Sequence, residues 1–303
     1  MRVTKRQVEW ICKKLDEDLI RFSFLARGNH NDNYVIETDD RKYVLRIENN
    51  PQFKNLKKEY NLLKSLKPEL GPKVFFLDKS HKIISADYFV EEFVVGKHPT
   101  KSDEKFIILM AKWLKKLHNQ KKKCKKYSLL PAIKPYYNNF RNHKTALSNE
   151  ISQNLDLLFD RVLAFCRRKN NVFKNRKTNS LLHRDLSKDN IIYDGKKIIL
   201  LDWEFSDYNF LEWDLVYFIE SQKLNERLKN LFLKSYGYST TSSNKKKLLV
   251  ISLLNTCGNV GYSIWRLDLI KQGKLKKTEK PAILRRLKQD LKLLRNIINN
   301  LER

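Results

Sequence analysis

Paired cysteines are missing from this chain. Cys12, Cys124, Cys166 and Cys257 lie scattered through 303 residues with no CxxC spacing, so neither a disulfide framework nor a zinc site is indicated. No run of 18 apolar residues occurs, so no transmembrane span and no stable membrane insertion are expected. The first segment, MRVTKRQVEWICKKLDEDL, is charged throughout and reads as an amphipathic helix, not a signal peptide. An internal repeat, an RNA-binding aromatic signature, a helix-turn-helix signal and zinc-finger spacing are all absent, so no nucleic-acid partner is expected. A cytoplasmic setting with reduced thiols follows as the expectation.

Acidic residues are scarce relative to basic ones, 34 against 62, for a net charge of +28. Such a balance suits nucleic acid, an anionic membrane surface or phosphorylated ligands. The lysines are spread along the whole chain, and the densest run, KKKCKK at 121–126, reads as a solvated loop after a helix. Apolar residues make up 41% and aromatics 11%, enough for a sizeable core and against disorder. The length suits one large domain or two lobes around a cleft.

Periodicity separates two regions. A helix over 4–18 precedes strand-like segments at 20–26, 33–38 and 42–48, split by the turn-rich GNHND and DDR. A helical pattern over 53–66 and two more strands, 73–78 and 88–95, complete this unit, which Gly96 ends. Beyond 103 the period is helical, with Phe106, Met110, Trp113 and Leu117 on one face. A Tyr/Asn-rich segment separates this helix from another over 151–168. A hairpin over 191–202 turns at Asp194-Gly195, and helices fill 211–235, 245–270 and 281–301. The expected domains are an N-lobe, 1–96, and a helical C-lobe, 97–303.

The chemistry is concentrated at HRDLSKDN, 183–190, which fits the catalytic-loop pattern H-R-D-L-x-x-x-N at every fixed position. Asp202 follows in ILLDWEF, at the end of an apolar strand. Together they outline a phosphoryl-transfer site. Asp185 would take the acceptor hydroxyl proton, Asn190 would turn back to bind a metal ion, and Asp202 would hold the metals that bridge nucleotide phosphates. His183 is expected to be structural, packed or hydrogen-bonded to organise the loop. Lys188 either neutralises the transferring phosphoryl group or points to solvent.

Upstream, the loop at Gly28, Asn29 and Asn31 can lay backbone N–H groups over phosphates, and equally reads as a plain hairpin turn. Arg46 in VLRI stands where protein kinases keep a phosphate lysine and can clamp phosphate oxygens; the alternative is an exposed edge arginine. Glu59 either pairs with Arg46 or is a solvated helix glutamate. Glu92, Phe93 and Val94 leave the last N-lobe strand, where backbone groups of such a hinge bind adenine. Glu204 either assists the metals or faces a cationic substrate. Asp214 reads as a buried acid bonded to the catalytic-loop backbone. Tyr262 and Trp265 share one helix face as either an aromatic cage for a quaternary ammonium or a core stripe.

The segments GNHNDNYVIE, KYVLRIE, LGPKVFF, VEEFVVG, HRDLSKDNII and LLDWEFSDYNFLEWDL occur in an order that resembles the choline/ethanolamine kinase family. That family lies in the aminoglycoside-phosphotransferase-like branch of the protein-kinase-like fold. The resemblance covers roughly residues 20–270 and is strongest, over DWEFSDYN and Asp214, to bacterial-type choline kinases. It implies an α+β, two-lobed protein-kinase-like fold with an antiparallel-sheet N-lobe and a mostly helical C-lobe. ATP would lie between the lobes, with Mg2+ as the second cofactor. The partner would be a small cationic alcohol, choline, converted to phosphocholine for phospholipid metabolism.

In residue terms the resemblance makes Asp185 catalytic and Asn190 and Asp202 magnesium ligands, with Glu204 a further candidate. Glu204, Tyr208, Glu220, Tyr262 and Trp265 would surround the choline-like head group. Three departures stand out: no second glycine in the phosphate loop, Arg184 where small-molecule kinases often carry Gly or Asn, and an Asp214-to-Glu220 spacing one residue short. Ethanolamine, thiamine, an amino sugar or an aminoglycoside are alternative acceptors. A catalytically dead, basic kinase-like binding protein is the alternative of another class. No A-P-E segment or G-x-G-x-x-G occurs, which disfavours a protein kinase.

Overall fold

The computed structural model describes residues 3–28, 30–50, 55–100, 103–123, 129–173 and 176–302. Asn29, one of the phosphate-loop candidates, lies outside these residues, as does the second half of the KKKCKK run with Cys124. The chain divides into two compact units: residues 1–117, 183–207 and 221–236 form the first, and residues 118–182, 208–220 and 237–303 the second.

The first unit is built on an antiparallel sheet. Strands β1 (Leu19–Arg27), β2 (Asn31–Thr38), β3 (Lys42–Glu48), β4 (Val74–Asp78) and β5 (Tyr88–Glu92) are ordered β1-β2-β3-β5-β4. Alternation puts Tyr34, Ile36, Tyr43, Leu45, Ile47, Tyr88 and Val90 on a face covered by helix α1 (Lys5–Lys13), which contributes Val8, Ile11 and Cys12. Thr4 caps α1 in a reciprocal arrangement with Gln7. Helix α2 (Leu56–Ser65) buries Leu56, Glu59 and Leu63, so a glutamate occupies the middle of an apolar stripe. Helix α3 (Glu104–His118) buries Phe106, Met110, Trp113 and Leu117, the face expected from its period.

The second unit is helical around one core. Helices α4 (Leu129–His143), α5 (Asn149–Arg168), α6 (Glu212–Ser221), α8 (Ser242–Lys271) and α9 (Lys280–Glu302) supply it. Helix α7 (Glu226–Tyr236) belongs to the first unit. The core holds Phe140 stacked on Phe159 at 5.1 Å and Phe173 on Phe210 at 4.2 Å. Helix α8 is long and apolar enough to cross a membrane by composition, yet 56% of its most apolar window is buried, the pattern of a core helix.

Three elements depart from the sequence expectations. The Tyr/Asn-rich segment is helical as α4, in spite of Pro135, because Leu129, Ile133 and Phe140 recur on one buried face. The single helix expected over 211–235 is two, α6 and α7. Lys223 takes φ +51, and Asn225 accepts from the Leu228 amide at 3.0 Å to start the next helix. Lys121–Lys123 form an exposed strand, β6, in a sheet with β7 (Thr178–Leu182) and β10 (Asp207–Asn209) in the order β10-β7-β6, in place of a solvated loop.

Candidate phosphotransfer site

The candidate catalytic segment enters through His183, which is fully buried. Its Nε2–H donates to the Leu201 carbonyl at 3.0 Å and its Nδ1 accepts from the Asp185 amide at 3.3 Å, which fixes the tautomer. The ring meets Trp203 edge-on at 4.6 Å. His183 is thus the structural residue expected. Strands β8 (Ile191–Tyr193) and β9 (Ile198–Leu200) form the hairpin that follows, turning at Asp194 and Gly195, the latter at φ +89.

Asp185 and Asn190 come together within this segment. Asn190 Nδ2 donates to the Asp185 carbonyl at 3.2 Å, and the Ser187 amide donates to Asp185 Oδ1 at 3.4 Å. The residues at both critical turns are left-handed: Arg184 has φ +72 and Asp202 φ +62. Non-glycine residues take such angles at a cost of order 1–3 kcal/mol, persisting where the surroundings over-determine them. Asp202 is held by Trp203, fully buried, whose amide donates to Glu59 Oε1 at 2.9 Å. Gly71 makes room for that indole, since a Cβ there would meet Trp203 Nε1 at 3.1 Å and Leu63 at 3.0 Å.

Arg46 is the hub. It is 6% exposed, which disposes of the edge-arginine alternative. Nη2 lies 3.0 Å from Asp202 Oδ1 and 3.3 Å from Glu59 Oε2, and Nη1 lies 3.7 Å from Glu91 Oε1. With the Asn31 amide oriented to satisfy both of its groups, its oxygen accepts from Arg46 Nη2 at 3.2 Å and its nitrogen donates to the His30 carbonyl at 3.1 Å. Burial alone would depress the guanidinium; Glu59, Glu91 and Asp202 outweigh it and hold the charge firmly on. Burial pushes Glu59 and Glu91 upward, with Arg46 pulling the other way. Glu59 is therefore a buried partner of Arg46, and the solvated reading of it falls away.

The loop after β1 is tied down locally. Arg27 grips Asp32 through two bonds, 2.7 and 2.9 Å, and Asn49 Nδ2 adds a third at 3.0 Å. The Arg27 bond holds the Asp32 carboxyl well below the usual carboxylate range, against the effect of burial. The Gly28 amide donates to the Asn31 carbonyl at 2.8 Å, a hairpin contact. His30 Nε2 lies 3.9 Å from Glu204 Oε1. Glu204 is buried, its Oε2 has no partner among the described residues, and burial with Asp202 alongside pushes its carboxyl up to about 7.

At the exit of β5 the Glu92 amide donates to Lys73 O at 2.8 Å and the Phe93 amide to Lys42 O at 3.2 Å. The Val94 amide makes no backbone bond among the described residues. Lys188 Nζ donates to the Thr100 carbonyl at 3.3 Å.

The remaining candidates, Tyr208, Glu220, Tyr262 and Trp265, lie in the second unit. Glu220 Oε1 accepts from Ser252 Oγ at 2.5 Å and Oε2 from Asn255 Nδ2 at 2.6 Å; burial raises its carboxyl above the ordinary range. Tyr262 and Trp265 follow along the same helix, rings 5.7 Å apart and 40% and 38% exposed. They are not a core stripe. Cations already rest on two of these rings: Lys122 Nζ is 4.1 Å from the Tyr208 centroid and Arg266 Cζ 5.8 Å from that of Tyr262. Asp214 is fully buried and accepts from His118 Nε2 at 3.1 Å.

Sequence reasoning missed Glu91, His30 and His118. Alternation along YFVEE could have placed Glu91 inward, because Phe89 is buried on the same face.

Residues 21–243 match the phosphotransferase enzyme family. The LicA homolog of Metamycoplasma hominis is 28% identical over 207 residues, 68% of this chain and 75% of that protein. The choline kinase LicA from Streptococcus pneumoniae has the same fold, with a TM-score of 0.67 at 19% identity over 96% of this chain and 99% of that one. Spectinomycin phosphotransferase in complex with ADP and spectinomycin gives a TM-score of 0.65 at 13% identity, covering 100% and 99% of the two chains. The matched span runs from β1 to the start of α8, and the chain belongs to the phosphotransferase enzyme family, in its choline kinase and aminoglycoside-phosphotransferase-like branch with a protein-kinase-like α+β fold.

Proposed function

We propose that this phosphotransferase moves the terminal phosphoryl group of ATP, with Mg2+, to the hydroxyl of a small cationic alcohol, choline before others. The observation that carries the reading is the Arg46–Glu59–Asp202 cluster beside the Asp185–Asn190 loop. It provides a fixed cation for phosphate and oxygen donors for a hard divalent ion.

The donor set fits magnesium. Among the described residues no group of three or more His, Cys, Asp or Glu side chains is arranged to hold a metal alone. Magnesium is usually held by one or two carboxylates together with substrate phosphates and water; Asp202, with Glu204 nearby, would supply the carboxylates and Asn190 an amide oxygen. When bound, the ion neutralises charge on the phosphates. Arg46 binds phosphate oxygens and Glu59 keeps it extended. Asp185 orients the acceptor hydroxyl and takes its proton at a carboxylate oxygen. Asn31 orients Arg46, and the Val94 amide with the neighbouring backbone of Glu92 and Phe93 receives adenine. Catalysis on this reading comes from positioning and charge stabilisation.

Choline is favoured over neutral alcohols because Tyr262 and Trp265, with rings 5.7 Å apart, stand exposed on α8 without a core to fill, and the same helix holds the Glu220 carboxylate through Ser252 and Asn255. A quaternary ammonium gains from such rings. The relatives named LicA, one of them a choline kinase, make choline the first acceptor to try.

ADP release from ATP and magnesium, measured with choline, ethanolamine, thiamine, glucosamine, kanamycin and no acceptor, tests the reading. Turnover with choline well above the others is the expected result. Turnover only with kanamycin or glucosamine would move the acceptor to the amino-sugar class. Silence together with no nucleotide binding would leave the basic binding-protein alternative.

A further inference from the structure

We infer that Glu91 is a positioning residue for Arg46, and that the two are a matched pair requiring a guanidinium where an ammonium would not serve. The inference rests on the phosphate-binding role of Arg46 proposed above.

The sheet builds the pair. Arg46 on β3 lies opposite Phe89 on β5, and Val44 opposite Glu91. Arg46 and Glu91 are therefore diagonal neighbours on one face of the sheet, within reach for long side chains. Phe89 sits between them in register, with Arg46 Cζ 5.7 Å from its ring centroid. The other carboxylate, Glu59, arrives from α2 on the first unit's second layer. Glu59 takes Nη2 at 3.3 Å and Glu91 takes Nη1 at 3.7 Å. A planar guanidinium presents two separate nitrogens in a fixed fork; a lysine carries its charge on one nitrogen at the end of a flexible stem and meets two separately placed carboxylates less well.

Burial makes the match consequential. Glu59 is 1% exposed and Glu91 4%. A carboxylate that loses its cation in such a place is costly to keep. With lysine at position 46, one of the two would be stranded. Two anchors from different elements also restrict the guanidinium to a narrow range of positions, so that it meets phosphate oxygens without further rearrangement. Nη2 already bridges to Asp202, and an anchor at Nη1 lets Nη2 exchange that partner for a phosphate while the arginine keeps its place.

The test is a double-mutant cycle read by Mg–ADP titration and by steady-state kinetics. Arg46→Lys is expected to weaken nucleotide binding about tenfold or more, and Glu91→Gln by about three- to tenfold. The acceptor KM should stay within about twofold while the ATP KM rises, a split that general loosening would not give. Arg46→Lys combined with Glu91→Met should recover to within about threefold of the parent, because the single ammonium then faces the single carboxylate Glu59. Glu91→Met alone closes the cycle; melting temperatures of the parent, the three single variants and the double variant report folding, and Glu91→Gln, which keeps shape, guards against a collapse in the methionine variants. Additive losses in the double variant, or parental nucleotide affinity in Glu91→Gln, would overturn the pairing while leaving the functional reading standing. A parent protein that binds no nucleotide would overturn both.

Discussion

The two units carry charge in opposite ways. In the first, Arg46, Glu59 and Glu91 are buried together with Asp202 beside them, and the backbone at Arg184 and Asp202 is left-handed. In the second, the interior is an apolar helix core with isolated polar ties such as His118–Asp214. Burying several ions where a hydrophobic cluster would fit is a poor route to stability. The first unit therefore carries its buried ions at a cost in stability, while the second keeps an apolar interior and exposes aromatics at its surface.

The sharpest way to break this contrast is Asp185→Asn. Turnover should fall by about two or more orders of magnitude with nucleotide affinity little changed; full turnover would remove Asp185 from the reaction. Asp214→Leu should do the reverse. It removes the buried carboxylate that His118 Nε2–H meets at 3.1 Å, a loss of about 1–3 kcal/mol, read as a melting point lower by about 2–4 °C per kcal/mol. A normal melting curve would show that the pair is not a structural tie. Trp265→Ala should raise the acceptor KM roughly tenfold and spare the ATP KM. Equal kinetics for both substrates would take the α8 aromatics out of acceptor recognition.

The smallest effect concerns pH. Burial raises the Glu220 carboxyl above its unfolded value, so the folded state holds a proton that the unfolded state has released. Its contribution is fully present below the unfolded pKa and is lost as pH rises through the raised one. Glu220→Gln should flatten the fall in melting temperature above about pH 4.3, the ordinary glutamate value. An unchanged slope would assign the dependence to other groups.

Legibility followed the same division. Fixed spacing in HRDLSKDN and the apolar strand before Asp202 announced the catalytic segment, and period-2 alternation gave the first sheet with close boundaries. Arg46 and Glu59 were readable because a short motif and a helix register place them. Glu91 was not, since adjacent glutamates at 91 and 92 look alike until strand alternation turns one inward. In the second unit the motif residues are confined to the segment around Tyr208 and Asp214. Helix α4 was hidden by Pro135 and by a run of Tyr and Asn, and only packing of Leu129, Ile133 and Phe140 against the core overrides them. The break between α6 and α7 lacks Gly or Pro, and Asn225 was its one local sign.

The left-handed backbone at Asp202 has an evolutionary consequence. Most residues resist φ +62, but asparagine tolerates that region nearly as well as aspartate does and has almost the same size. Drift at this position therefore has an open door: one conservative replacement removes the charge that the proposed reaction uses while the turn, Trp203 and the surrounding sheet keep their places. On the proposed function, a lineage carrying it would inherit an intact, inactive scaffold, so inactive descendants of this fold should be found still folded, with asparagine two residues after β9.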